Sequence, residues 1–283
     1  MTGNNALLLI ETKGMCGLVD AQDRIPKTSD VEFFHFILLG GGHAITVFQG
    51  PVAELIYAYE RNLDELKKLP ELHAASIIKG PHPDLYGFIK KEKIEYPESS
   101  AALGIVETKG FVPMAVAADD ALKSGFVTAR TWITIGGGIT SFTVRGDVAS
   151  VRSAVEHSEA GVPEPYKYRH LVIDNPHQDI DEKRLEIRTG HGQRSSAGPA
   201  IGFFETRSFA ALMRGVDAGL KKGATELTGI YKTGSTLISA GFTGTLSETE
   251  SALNAACSAA GELMECRSRV LIPNRHREVD RIL

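Results

Sequence analysis

The chain repeats one short pattern three times. An apolar run that ends in a glutamate, a threonine and a basic residue occurs at residues 6–14, 102–110 and 200–208. The three glutamates, Glu11, Glu107 and Glu205, are separated by 96 and 98 residues. Self-similarity at a nearly constant period is the sequence signature of tandem structural repeats, and it constrains the fold more than any local pattern does.

Four further landmarks recur at matching distances from each glutamate. They are an aspartate, a loop of small residues opened by a glycine, a second glycine, and a histidine that follows an apolar run. In chain order they are Asp23, Gly40, Gly50 and His82; Asp119, Gly136, Gly146 and His177; and Asp217, Gly234, Gly244 and His276. Because five landmarks stay in register over three copies, we interpret the chain as a tandem triplication with domains at residues 1–94, 101–184 and 199–283.

Composition limits the classes of partner. The 283 residues are 42% hydrophobic and 23% charged, as in ordinary globular proteins. A net charge of −4 gives no reason to expect nucleic acid or an anionic membrane as a partner. The first residues have no signal-peptide pattern, and no apolar run is long enough to span a membrane. Three cysteines without a CxxC motif indicate reduced thiols, and we expect Cys16 and Cys257 to lie buried on helices.

The second repeat gives the clearest succession of elements. Apolar and β-branched runs predict strands at 103–108, 130–135, 139–145 and 171–173. Helices are expected at 114–124 and from Val148 onward, the latter capped by Asp147. This order is strand, helix, strand, strand, helix, strand. The predicted fold class is therefore α/β, with α+β ferredoxin-like domains.

Two departures from the common pattern are expected in the other repeats. Pro26 falls within the first helix of the first repeat, so this helix is expected to end early. Ser247 and Glu250 have the spacing of a capping box, so the second helix of the third repeat is expected to begin at Ser247.

Several of these segments resemble one known family. The strand that ends in Glu107-Thr108-Lys109-Gly110, the helical segment Ala117-Ala118-Asp119, the glycine loop, and the Val-Arg-Gly-Asp turn that ends at Asp147 are similar to the shell-protein domain of bacterial microcompartments. The resemblance covers nearly the whole chain, once per repeat. It implies a structural protein without enzymatic activity or cofactor, located in a microcompartment shell in the bacterial cytoplasm.

The resemblance also implies an assembly. Family members place six wedge-shaped domains around a central pore, so a chain of three domains would form half of a pseudohexameric ring and pair with itself as a homodimer. Other shell proteins would be its neighbours, and small metabolites would pass through the pore.

The same resemblance assigns the glycine loops to the pore. The residues that it implies as pore-lining are Gly40, Gly41, Gly42, His43, Gly136, Gly137, Gly138, Gly234, Ser235 and Thr236. A phosphate cradle is the competing interpretation, but it requires glycines that run into a helix, and strands are expected after Gly42 and Gly138. His43 and Lys232 would make the lumen cationic and favour small anions, unless both side chains fold back against the domains.

Lys13, Lys109 and Arg207 occupy the position that in the family contacts a neighbouring tile. The family also carries an arginine two residues before the histidine, where this chain has Gly80, Asn175 and Asn274, so weaker tiling is expected.

The repeated histidines, His82, His177 and His276, could instead be catalytic or metal-binding. A structural role is favoured, because three identical active sites are less common than a duplicated structural contact, and no zinc-type spacing occurs. An alternative function, a small-molecule-binding sensor or an enzyme built on repeated ferredoxin-like domains, stays open at this level.

Overall fold

The computed structural model describes residues 5–68, 72–92, 102–177, 180, 198–233, 237–275 and 279. Within these ranges each repeat forms a four-stranded antiparallel sheet with two helices packed on it. The order of elements is the predicted one in all three domains. No helix in the described ranges has the length and apolar character needed to cross a membrane.

The elements of the first domain include one helix that the sequence pattern did not predict. In chain order they are β1 (Asn5–Lys13), α1 (Met15–Thr28), β2 (Glu32–Leu38), β3 (His43–Pro51), α2 (Val52–Lys68), β4 (Leu72–Lys79) and α3 (Pro83–Lys90). The strand order across the sheet is β2-β3-β1-β4. The unpredicted helix, α3, packs against the second domain, where Trp132 Nε1 donates a 2.9 Å hydrogen bond to Phe88 O.

The second and third domains repeat this sheet with closely matching bounds. The second contains β5 (Ala102–Lys109), α4 (Phe111–Ser124), β6 (Thr128–Gly136), β7 (Ile139–Gly146), α5 (Val148–Gly161) and β8 (Lys167–Ile173). The third contains β9 (Ala200–Thr206), α6 (Phe209–Lys222), β10 (Glu226–Thr233), β11 (Leu237–Gly244), α7 (Leu246–Gly261) and β12 (Ser268–Ile272). Their strand orders are β6-β7-β5-β8 and β10-β11-β9-β12.

Two expectations about helix ends are wrong. Helix α1 continues past Pro26 to Thr28, and its 14 residues equal the length of α4 and of α6. Pro26 lies in the last turn, where the Thr28 hydroxyl donates to Ile25 O at 3.0 Å and accepts from Asn62 Nδ2 of α2 at 2.9 Å. These bonds hold the final turn that the proline weakens.

The capping box of α7 is also displaced from the predicted position. It lies two residues earlier than expected, with Thr245 as N-cap and Glu248 as its reciprocal partner. Both pairs, Ser247–Glu250 and Thr245–Glu248, have the spacing of the motif, and the earlier pair is used because α7 begins directly after β11 ends at Gly244. The predicted cap of α5 is confirmed, since the Asp147 side chain accepts from Ser150 N at 3.0 Å.

The hydrophobic core is continuous across both domain junctions. Leu9 and Ile78 of the first domain belong to the same buried cluster as Phe111 and Met114 of the second. Leu171, Phe209 and Met213 join the second domain to the third in the same way. In both cases the last strand of one domain packs against the first helix of the next, β4 against α4 and β8 against α6.

Candidate functional site

Each domain junction is built around the repeated glutamate. Glu11 Oε2 accepts a 2.9 Å hydrogen bond from Val112 N, and Glu107 Oε1 accepts a 2.7 Å bond from Phe209 N. These amides lie in the first turns of α4 and α6, where backbone N–H groups lack helical partners and favour a negative charge. The glutamate of one domain therefore caps the first helix of the next domain.

The repeated aspartate and histidine complete the same junction. Asp119 Oδ1 accepts from His82 N at 2.7 Å, and Asp217 Oδ1 accepts from His177 N at 2.9 Å. Both histidines thus make this contact through the backbone, and the His82 ring accepts from Asp84 N at the start of α3. These contacts are structural, in line with the favoured interpretation. His276 lies outside the described residues.

A β-bulge supplies a junction contact that the sequence pattern did not reveal. In β4 and in β8 one extra residue interrupts the pairing with the central strand, and these residues are His73 and Tyr168. His73 Nε2 lies 3.1 Å from Lys109 O, and Tyr168 Oη donates to Arg207 O at 3.4 Å. Because the two bulge residues differ in type, the repeat pattern of the sequence does not reveal this position.

Burial of the second glutamate changes its protonation. Glu107 is almost fully buried, and its pKa is raised to about 7 by this burial, although the Ser208 and Ser141 hydroxyls and the Phe209 amide favour the ionised form. Ser141 Oγ donates to Glu107 Oε1 at 2.9 Å. The junction between the second and third domains therefore contains a carboxyl group that titrates near neutral pH.

The glycine loops of the first two domains lie side by side. A β-carbon placed on Gly41 would be 3.2 Å from Gly138 N, so the two loops approach to backbone contact. Gly41, Gly42, Gly137 and Gly138 all have positive φ angles, between 61° and 82°, which explains the requirement for glycine at these turns. The third loop, Gly234, Ser235 and Thr236, lies outside the described residues.

The two cationic residues predicted near the loops occupy different positions. The His43 ring does not project outward from its loop. It is buried, with Nδ1 donating to Glu11 Oε1 at 2.7 Å. Lys232 of the third domain reaches the second, where its Nζ donates to Thr134 Oγ1 at 3.1 Å, and it lies beside Gly40 of the first. Burial lowers the pKa of Lys232.

The tile-edge candidates are exposed. Lys13 and Lys109 are the last residues of β1 and β5, Arg207 directly follows β9, and all three residues are exposed. The backbone carbonyls of Lys109 and Arg207 make the junction hydrogen bonds with His73 and Tyr168, and the charged side chains of the two residues remain exposed. Their contact with a neighbouring tile stays a prediction.

The junction surfaces at the two ends of the chain are exposed where their counterparts are buried. Met15 and Val19 of α1 are 51% and 55% exposed, whereas the residues at the same positions of α4 and α6 are fully buried. Those counterparts are Phe111, Ala115, Phe209 and Met213. At the other end, Val270 of β12 is 48% exposed, while Leu171, at the same register of β8, is 4% exposed.

The cysteines depart in part from expectation. Cys16 and Cys257 lie on helices as predicted, but Cys16 is exposed at the start of α1 and Cys257 is half-buried. The Sγ atoms of Cys257 and Cys266 are 2.9 Å apart in the third domain.

Comparison with known proteins identifies the same three repeats as copies of one domain family. The model of the BMC domain family matches three times, at residues 6–81, 102–176 and 200–275. The carboxysome assembly protein CcmO of Synechocystis sp. PCC 6803 is 30% identical over 163 residues, which are 54% of this chain and 55% of that protein. The bacterial microcompartment shell protein PduA of Citrobacter freundii is 37% identical over 82 residues, 29% of this chain and 88% of that protein.

A solved structure extends the likeness to two domains. The crystal structure of a microcompartment protein from Desulfitobacterium hafniense is 26% identical, with a TM-score of 0.53, and the match covers 63% of this chain and 98% of that one. The chain spans about half the length of the CcmO relative it matches. The three matches of the family model together cover far more than half of the sequence, and the chain belongs to the BMC domain family, with three tandem copies of the domain.

Proposed function

We propose that this protein is a structural component of a bacterial microcompartment shell, in which two chains close a ring of six domains. The proposal rests on one observation. The same junction occurs twice within the chain, and the first and third domains each present, among their described residues, one exposed half of it. The shell role itself is supported by the family and by relatives whose names describe shell and assembly proteins.

The junction that closes the ring would use the residues of the first and third domains that are equivalent to those of the two junctions within the chain. Glu205 is half-buried, whereas its counterparts Glu11 and Glu107 are buried beneath the first helix of the next domain. In a closed ring Glu205 would cap α1 of the second chain, whose N-cap, Gly14, offers no side-chain partner. The second chain's α1 would cover the exposed β12, and the exposed Cys16 would become buried there.

A two-fold arrangement is the natural closure. Each chain has one helix-bearing end and one strand-bearing end, so two chains can pair head to tail at both ends with identical contacts. Burying exposed Met15, Val19 and Val270 at each junction supplies the hydrophobic contribution to association. The glycine loops would then meet around the axis of the ring and line a pore for small metabolites.

Lys232 supports a preference of this pore for small anions. It lies beside the loops of the first and second domains and belongs to the third, so two copies would face the opening of a dimer. His43 is buried and would not contribute charge there.

The mass of the particle in solution tests the ring. Light scattering should give about twice the 30.5 kDa of one chain at micromolar concentration. Val19→Asp would place a charge in the closing junction and should produce monomers. Phe126→Asp is the matched control, because Phe126 is 95% exposed and lies outside the junction surfaces. A monomeric or trimeric wild type, or a dimer unaffected by Val19→Asp, would refute the ring.

A further inference from the structure

Three side chains with metal-ligand chemistry meet at one end of the first sheet. Glu11, His43 and His73 each present one ligand atom, and these atoms all lie within 4.8 Å of one another. They come from β1, the first residue of β3 and the bulge of β4, so one domain provides the whole set. The His43 and His73 rings are in edge contact, with centroids 4.7 Å apart.

The fold does not require histidine at these positions. The residues that match His43 in the second and third repeats are Ile139 and Leu237, and the bulge residue that matches His73 in the second is Tyr168. Both other domains form the same sheet with these residues. The two histidines are therefore particular to the first domain, and the bulge contact that His73 makes with Lys109 O is made by a tyrosine in the second domain.

Neighbouring groups hold the three side chains in place. Glu11 Oε2 is fixed by Val112 N, which leaves Oε1 toward His43. Tyr166 packs edge-on against the His73 ring and donates its hydroxyl to His73 O at 3.0 Å. Orientation of ligands by such outer contacts is typical of protein metal sites.

Glycine at two positions lets these side chains pack directly against the backbone of the second domain. A β-carbon on Gly110 would lie 2.8 Å from His73 Nε2 and 2.9 Å from Glu11 Oε2. A β-carbon on Gly138 would lie 2.4 Å from His43 Nε2. Both glycines belong to the second domain, so the backbone of that domain covers the three ligands of the first domain.

We infer that Glu11, His43 and His73 form a site for a divalent transition-metal ion of the Zn²⁺ type. Two imidazoles and one carboxylate are a common three-residue zinc set, which leaves a fourth position for water or a small ligand. The nitrogen ligands exclude a preference for Mg²⁺ or Ca²⁺, which take oxygen ligands. On binding, the metal takes the place of the proton between His43 Nδ1 and Glu11 Oε1 and replaces the hydrogen bond from His73 to Lys109 O.

The ion would also strengthen the first junction. It would neutralise a buried carboxylate that already caps α4, and half-buried His73 is the route by which the ion enters from solvent. The site lies within one chain, so it does not depend on closure of the ring.

Metal titration of the full-length, untagged and chelator-treated chain tests the inference. Calorimetry should show one Zn²⁺ per chain, and a thousandfold excess of Mg²⁺ or Ca²⁺ should not compete. His43→Ile and His73→Tyr place the second repeat's own residues in the site, so both should preserve the fold and weaken Zn²⁺ binding by about 100-fold or more. His157→Gln, an exposed histidine of α5, is the control and should leave binding unchanged.

X-ray absorption of the wild-type complex provides a measurement that needs no variant. The spectrum should indicate that zinc is bound by two imidazole nitrogens together with oxygen ligands. Zn²⁺ binding that survives both substitutions, an absence of stoichiometric binding, or a spectrum with oxygen ligands alone would overturn the assignment and leave a hydrogen-bonded Glu–His pair.

Discussion

The buried carboxyl group of Glu107 makes stability depend on pH at the second junction. Its pKa is raised from 4.5 to about 7 by burial. A carboxyl group whose folded-state pKa lies above its unfolded value stabilises the protein at low pH, and this contribution is lost as pH rises through the folded pKa. The full loss is about 3.4 kcal/mol, since one pKa unit corresponds to about 1.36 kcal/mol. Integration between about pH 5.5 and pH 8.5 gives a loss of about 2 kcal/mol.

Glu107→Gln isolates this effect, because glutamine has the shape of the protonated side chain and does not titrate. Relative to the wild type, the variant should gain about 2 kcal/mol in free energy of unfolding between about pH 5.5 and pH 8.5. The assay is urea unfolding followed by fluorescence of Trp132, the one tryptophan of the chain, which is buried in the second domain.

Glu156→Gln controls for the substitution itself, since Glu156 is an exposed glutamate of α5 in the same domain and lies outside the junctions. Parallel pH curves for the wild type and Glu107→Gln would refute the reasoning. So would a wild type that becomes more stable than the variant as the pH rises, because the ionised carboxylate would then be the favoured form in the folded junction.

Three further outcomes are expected. Gly104→Ala should destabilise the second domain by about 1–3 kcal/mol in the same unfolding assay, because the new β-carbon would lie 2.7–2.9 Å from three valine methyl groups. Gly261→Ala is the control, because no atom lies within 4 Å of the position of its β-carbon. Mild oxidation with diamide should link Cys257 to Cys266 and reduce the number of titratable thiols from three to one, and a linkage that involves Cys16 in peptide mapping would contradict this. Lys109→Ala should weaken lateral association with other shell proteins, and electron microscopy of mixed sheets measures this. Sheets that are unchanged by the substitution would show that neighbouring tiles associate through other residues.

The repeat pattern predicted the fold well because the same four-stranded sheet is built three times. A central strand that carries a glutamate, a helix that carries an aspartate and a glycine hairpin recur in each repeat, and at both junctions within the chain the glutamate and the aspartate make the same contacts. The landmarks were visible in the sequence, but their partners were not. Glu11 and Val112 are 101 residues apart, and nothing in the local pattern indicates which helix a carboxylate will cap.

Residues that differ between repeats were the ones the sequence could not assign. His73 and Tyr168 share a bulge without sharing chemistry, and α3 has no counterpart among the predicted elements. The sequence left two directions open for the His43 side chain, because a lone histidine after a glycine loop gives no sign of a carboxylate 32 residues earlier.

The sequence by itself determined the number of domains, the succession of their elements and the family, because periodic burial and positive-φ glycines are local requirements that leave local marks. The tertiary structure decided which glutamate meets which helix, that burial raises the pKa of Glu107 to about 7, and that ligand atoms of Glu11, His43 and His73 lie within 4.8 Å of one another. Those properties depend on distances between groups far apart in the chain and on exclusion of water at the junctions, and both arise only when the domains pack together.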